Sequence, residues 1–148
     1  MINILNAHNC NHLSNIQKFF LVITNIFFLI LGLKNFESIN GKFTLISFFI
    51  SSLFHTIQVT IGKCNELNLF CYIDIIIVTS LILNIVIFNF KSFKNFKVIF
   101  FLIIGLLCFS YNIFYKDNYH IYHSLWHIFS SIALYFYFES VKKIHKNN

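Results

Sequence analysis

The chain has 148 residues, enough for one domain, and its composition is unlike that of a water-soluble protein. Hydrophobic residues make up 57% of it and charged residues 11%, less than half of the roughly 25% found in soluble domains. The net charge of +6 does not indicate a nucleic-acid partner. The lysines of the chain lie between apolar runs and at the C-terminus, which is the pattern of membrane topology signals. The composition excludes a soluble enzyme, a disordered chain and a disulfide scaffold, and it predicts a polytopic membrane protein.

Five apolar segments are each long enough, at about 20 residues, to cross the hydrocarbon core as a helix. They cover residues 16–34, 42–62, 68–90, 96–115 and 119–139, and Asn25 interrupts the first of them. Their β-branched and aromatic residues would favour strands in water, but a backbone in lipid must satisfy its hydrogen bonds within each segment. We therefore expect a single all-α transmembrane domain over 1–148, with about five spans, a polar N-terminal tail at 1–15 and a basic C-terminal tail at 140–148.

The lysines predict how this bundle is oriented in the membrane. With five spans, one face carries eight lysines and the other carries Lys18, Lys63 and Lys116. Cytosolic loops are the lysine-rich ones, so the first face is the cytosolic one. We expect a luminal or extracellular N-terminus, a cytosolic C-terminus, and a location in the secretory pathway or at the cell surface. The first span has no cleavage site after it and would remain as a signal anchor.

Five polar side chains inside the spans are functional candidates, because such residues are costly in lipid. They are Ser51, His55, Asp74, His123 and His127. His123 and His127 are four residues apart, so they share one helix face, a spacing that suits one divalent metal ion. At about 1.5 Å of rise per residue, the three histidines and the aspartate all lie roughly 6–12 Å below the outer surface.

This common depth predicts a catalytic zinc site. Three neutral imidazoles would hold Zn²⁺ and leave a fourth position open for water. Asp74 could then accept the proton of that water or orient it. Ser51, one turn from His55, could donate to a developing oxyanion or hold a ligand in place.

Each of these residues also has a plainer interpretation. Membrane histidines can hydrogen-bond across helices without any metal, and Asp74 could pair with a histidine or a backbone group. Ser51 could donate back to the carbonyl one turn earlier. We interpret His120, one turn before His123, as an interfacial residue.

Four cysteines, at positions 10, 64, 71 and 108, leave their pairing open. The first three map to the outer side, which is oxidising if the protein follows the secretory route. A bridge between Cys64 and Cys71 would span the loop there and steady His55 relative to Asp74.

The ordered set Ser51-x₃-His55, Asp74 and His123-x₃-His127 resembles the CREST-type superfamily of membrane hydrolases, which includes alkaline ceramidases and adiponectin receptors. The local sequences around these residues are most similar to those of the branch that contains myomaker and the GPI-anchor-cleaving phospholipase. The segments that carry the resemblance are SSLFH at 51–55, FCYIDIIIVTS at 70–80 and DNYHIYHSLWHI at 117–128. They cover about half of the chain.

The resemblance implies a zinc-dependent hydrolase that cleaves amide or ester bonds of membrane lipids. His55, His123 and His127 correspond to the zinc ligands, Asp74 to the residue that acts on the zinc-bound water, and Ser51 to its polar partner. The implied orientation agrees with the lysine count. The superfamily typically has seven spans, whereas this chain has five predicted ones. It would therefore lack part of the wall around a lipid pocket, and a homo-oligomer could supply the missing part.

Two alternatives belong to other functional classes. A non-enzymatic protein of the myomaker kind would act in membrane remodelling or fusion and keep a structural metal site. A haem-binding electron carrier would use paired histidines as iron ligands, but the two histidines of the pair share one face of one helix.

Overall fold

The computed structural model describes residue 10 and residues 13–61, 68–114 and 118–146. Within these ranges every regular element is a helix, which confirms the all-α class for this part of the chain. In chain order the helices are α1 (Asn15–Ile23), α2 (Ile26–Lys34), α3 (Ile39–Ile61), α4 (Asn68–Phe88), α5 (Phe90–Phe93), α6 (Phe96–Phe114) and α7 (Tyr119–Lys146).

The predicted segments correspond to these helices with three differences. The first segment is divided into α1 and α2, and the single turn of α5 was not predicted. The last segment does not end at residue 139, because α7 continues to Lys146. Lys143, His145 and Lys146 occupy its last turn, where cationic side chains stabilise the carbonyl end of a helix.

The division of the first segment occurs at Thr24 and Asn25, which are both buried. The N–H of Asn25 donates to the carbonyl of Val22, and the N–H of Phe28 donates to the carbonyl of Asn25. These bonds join residues three apart, so the chain makes a tight turn of the 3₁₀ type between the two helices. The break places the Thr24 side chain inside the protein.

Helix α7 lies at the centre of the bundle. α6 packs along it, α1, α2 and α5 also contact it, and α3 packs between α2 and α4. Gly32 permits the close approach of α2 to α3, because a Cβ there would lie 2.9 Å from the backbone nitrogen of Leu45. The main apolar core is formed by Phe28, Leu31, Leu81, Ile85, Val98, Leu134, Tyr137 and Phe138.

Two helical runs in the described residues are long and apolar enough to cross a membrane. They are Asn15–Lys34 and Ile39–Ile61, whereas the apolar helices Tyr72–Ile87 and Phe96–Tyr111 are shorter. The surface is more apolar than that of a soluble protein. Among the described residues, 27 large hydrophobic side chains are exposed, and the buried set includes 15 polar or charged residues.

Candidate metal centre

Three histidines from two helices meet inside the bundle. His55 comes from α3, and His123 and His127 come from α7; their exposed fractions are 0%, 6% and 2%. One ring nitrogen of each can be chosen so that all three atoms lie within 4.8 Å of one another. The centroids of the rings are 4.5–5.2 Å apart. The structure therefore brings together the three residues that the sequence analysis selected as ligands.

The inward face of α3 explains how His55 reaches this position. The buried residues of α3 recur every three or four positions and are mostly polar: Asn40, Gly41, Thr44, Ser47, Ser51, Phe54, His55 and Gln58. Residues with this spacing occupy one helix face. The opposite face exposes Ile46, Phe49 and Leu53. The pattern orients His55 towards α7, where His123 and His127 share a face for the same reason.

Two polar side chains hold the outer ring nitrogens of the cluster. Nδ1 of His55 lies 2.9 Å from Oε1 of Gln58, and because a carbonyl oxygen only accepts, His55 donates from Nδ1. Nδ1 of His127 lies 3.1 Å from Oγ1 of Thr24. The Thr24 hydroxyl donates to the carbonyl of Leu21, so it accepts from His127. The Nε2 atoms of His55 and His127 are therefore unprotonated. Hydrogen-bond acceptors at Nδ1 keep metal-binding histidines in this tautomer.

The third ring completes the set. Nε2 of His123 lies 2.9 Å from Nε2 of His55, and it donates to that nitrogen when the rings are neutral. Around a tetrahedral zinc ion with bonds of about 2.05 Å, two ligand nitrogens are about 3.3 Å apart. The pair needs to open by roughly half an ångström and His123 needs to move its proton to Nδ1. The donor set fits a divalent ion, although imidazole suits zinc, copper, iron and nickel alike.

Asp74 is connected to the cluster through Ser51. The Ser51 hydroxyl forms a hydrogen bond with the Asp74 carboxylate. Ser51 is one turn, or about 6 Å along α3, from His55, so this serine links the carboxylate to the cluster. Asp74 is buried, and its Oδ1 has no hydrogen-bond partner in the described part of the chain. A buried carboxylate oxygen of this kind can accept a proton or a hydrogen bond from a ligand.

Other candidates lie outside the cluster. His120 is half-buried, and its Nε2 is 3.0 Å from Nε2 of Gln17 on α1. The Cys64–Cys71 bridge that the sequence suggested lies outside the described residues and side chains. Cys10 is buried in a small group with Leu13, Leu21 and Tyr119.

Sequence reasoning missed the two residues that orient the ligands. Gln58 is an amide in an apolar segment three residues after His55, so it could have been found as a further polar residue on the same face. Thr24 gave no such signal, because hydroxyls are common in spans and its partner is 103 residues away.

Comparison with protein-family models, curated proteins and solved structures finds no match to this chain. Its function is therefore inferred from the residues of the site. The geometry disfavours a haem site, since the nitrogens of His55 and His123, 2.9 Å apart, leave no room for a porphyrin between them.

Proposed function

We propose that this protein is a polytopic membrane hydrolase that uses the three-histidine site to hold zinc and to cleave amide or ester bonds of membrane lipids. The observation that carries the proposal is the burial of three imidazoles whose ligand atoms lie within 4.8 Å of one another. The carboxylate of Asp74, which is linked to the cluster through Ser51, supports a catalytic rather than a purely structural role.

The apolar surface supports the membrane location. An exterior with 27 exposed large hydrophobic side chains would cause aggregation in water but suits lipid. At 1.5 Å per residue, α3, α4, α6 and α7 extend about 29–42 Å, and the run Asn15–Lys34 extends about 30 Å. These lengths match a hydrocarbon core of about 30 Å. Asn15–Lys34 and Ile39–Ile61 are also apolar enough to cross, and five spans would use α4, α6 and α7 as well.

The lysines support the orientation. One end of these helices carries eight lysines: Lys34, Lys42, Lys91, Lys94, Lys97, Lys142, Lys143 and Lys146. That end faces the cytosol if positive residues remain inside. The histidines lie towards the other end, so the site faces the luminal or extracellular leaflet.

The chemistry follows from the groups present. His55, His123 and His127 would hold the ion, and zinc supplies Lewis acidity and lowers the pKa of a coordinated water to about 7. Asp74 would accept the proton of the attacking water at Oδ1 and deliver it to the departing amine or alcohol as the amide or ester bond breaks. Ser51 keeps that carboxylate oriented through its hydrogen bond.

Access for a lipid is supported by the packing of the helices. α4 packs on α3 and α6 packs on α7, whereas α4 and α6 form no extensive interface within the described ranges. A cavity of about 50 Å³ lies between them, with Val78 and Leu81 on one side, Leu102 on the other and Trp126 behind. Phe28 also lines this cavity, and its ring packs edge-on against that of His127 with centroids 6.0 Å apart, so one aromatic ring separates the cavity from the site.

The first experiment measures zinc in the detergent-purified protein by mass spectrometry. We expect about one zinc per chain in the wild type. His127→Ala should lose it, and His120→Ala, which changes a neighbouring histidine bonded to Gln17, should keep it. A wild type that binds no zinc when zinc is supplied would overturn the proposal.

The second experiment follows cleavage of a panel of ceramides and phospholipids. Asp74→Asn should retain zinc but lose hydrolysis, because an amide cannot accept the proton. Equal activity of Asp74→Asn and wild type would contradict the role of Asp74.

A second candidate function is a membrane-remodelling protein with a structural metal site. It is favoured by the small size of the cavity, about 50 Å³, compared with the roughly 300 Å³ or more of typical ligand pockets. In that case zinc is bound, no lipid is cleaved, and Asp74→Asn leaves activity in a cell-fusion assay intact. The lipid panel and the fusion assay distinguish the two functions.

A further inference from the structure

A second pocket lies at the lysine-rich end of the molecule, where α4 and α5 meet the last turns of α7. Its volume is about 350 Å³. Ile87, Phe90 and Ile144 provide apolar walls, and Lys91, Ser92 and His145 provide polar ones. His145 is 18 residues from His127, which is about 27 Å along α7. The pocket is therefore separate from the metal centre.

Local hydrogen bonds build the frame of this pocket. α4 ends before Asn89, and the N–H of Ser92 donates to the Asn89 carbonyl over 3.0 Å, which turns the chain into α5. The next corner is fixed to α7, because Nδ2 of Asn95 donates to Oγ of Ser140 over 2.7 Å. The pocket thus lies between α4, α5 and α7, and hydrogen bonds fix the turn after α4 and the attachment of the next turn to α7.

The charges around the pocket are predominantly positive. Lys91 is exposed at its edge, and Nζ of Lys94 lies over the ring of Phe90, 4.8 Å from the centroid. Glu139, the nearby acid on α7, is 3.7 Å from Nζ of Lys142 and is partly neutralised by it. Glu37, the other described acid at this end, lies between α2 and α3. The pocket is therefore open to an anion.

We propose that this pocket binds an anionic phospholipid of the cytosolic leaflet, with the headgroup phosphate at Lys91. A soluble phosphate ester would need only the positive charge of the lysines and would make no use of the apolar walls. The walls also include Ile87 and Phe90, which are 64% and 51% exposed and continue the apolar surface of α4. A ligand that is anionic at one end and apolar at the other satisfies both parts. Lysine pockets on the cytosolic side of membrane helices recognise lipid headgroups in this way.

This inference rests on the proposed membrane placement and orientation but not on hydrolysis. Its main competitor is diffuse attraction between the lysine-rich face and an anionic surface. Lys34, exposed at the end of α2, provides the matched control: it has the same charge at the same end but lies outside the pocket.

The test measures binding of a short-chain phosphatidylserine to the full-length protein in neutral detergent, with the corresponding phosphatidylcholine as reference. The serine lipid should bind more tightly than the choline lipid. Loss of one lysine contact is worth about 1 kcal/mol, so Lys91→Gln should weaken binding about fivefold. Lys34→Gln should leave it nearly unchanged. Helical content and zinc content, measured on the same samples, should equal those of the wild type.

Three outcomes would overturn the inference. Equal losses in Lys91→Gln and Lys34→Gln would assign the binding to diffuse charge. Binding of inorganic phosphate as tightly as the serine lipid would assign the pocket to a soluble ligand. Equal affinity for the serine and choline lipids would remove the anion site. Because none of these readouts involves the metal or lipid cleavage, they are independent of the hydrolase proposal.

Discussion

The substitution Thr24→Val tests whether the candidate metal centre depends on the break between α1 and α2. Thr24 is 5% exposed, and its hydroxyl accepts a hydrogen bond from Nδ1 of His127 over 3.1 Å. Valine has nearly the same shape but cannot accept. The change therefore leaves the ring in place and removes only the group that holds its tautomer and orientation.

The expected loss follows from the role of such partners. Removing a residue that orients a histidine ligand lowers metal affinity about 10–100-fold, or roughly 1.4–2.7 kcal/mol. His55 remains held by Gln58, so binding should weaken rather than disappear. The buried N–H of His127 is left without its acceptor, which should also lower the free energy of unfolding by about 1–3 kcal/mol.

The assay is a zinc competition titration against a chromophoric chelator in detergent, with circular dichroism as a check on folding. Thr60→Val is the matched control, because Thr60 is exposed and its hydroxyl donates to the carbonyl of Thr56 within its own helix. It should have wild-type zinc affinity. If Thr24→Val is folded and binds zinc as tightly as the wild type, His127 is not oriented by Thr24 and the interpretation of the site is wrong.

Three other features of the structure lead to measurable outcomes. Gly41→Ala would place a Cβ 1.8 Å from the carbonyl oxygen of Asn35, so the unfolding free energy in detergent should fall by about 1–3 kcal/mol, and a wild-type value would contradict the packing of this turn. Tyr137→Phe removes the acceptor of the buried Asn40 amide; stability should fall by about 1–3 kcal/mol while zinc content is unchanged, and loss of zinc would show unexpected coupling. Chelation should lower the free energy of unfolding by about 2.7 kcal/mol relative to zinc at 100 times its dissociation constant, because a bound ion would join α3 to α7; equal stability with and without zinc would argue against that link.

The helices themselves could be predicted from the sequence. The ends of α3, α4 and α6 lie within three residues of the predicted ones. A helix satisfies its backbone hydrogen bonds with neighbours four residues away, so its presence depends mainly on local apolar length. The single turn of α5 and the extension of α7 to Lys146 escaped this reasoning, because neither depends on apolar length.

The candidate ligands could also be selected from the sequence, because the depth of each histidine follows from counting residues along its own helix. Counting does not give the rotation of a helix about its axis. That rotation depends on how the helices pack, and it decided that Thr24 meets His127, that Gln58 meets His55 and that Asn40 meets Tyr137.

The sequence therefore predicts local structure, whereas contacts between distant residues require the tertiary structure. The sequence alone predicted the helices found in the described ranges, their long apolar segments and the polar residues that lipid would make costly. Only the tertiary structure decided which of those residues touch, and it formed the pocket at Lys91 from α4, α5 and the end of α7. The physical reason is that helix formation is local, whereas the partners in these contacts lie up to 103 residues apart in the chain.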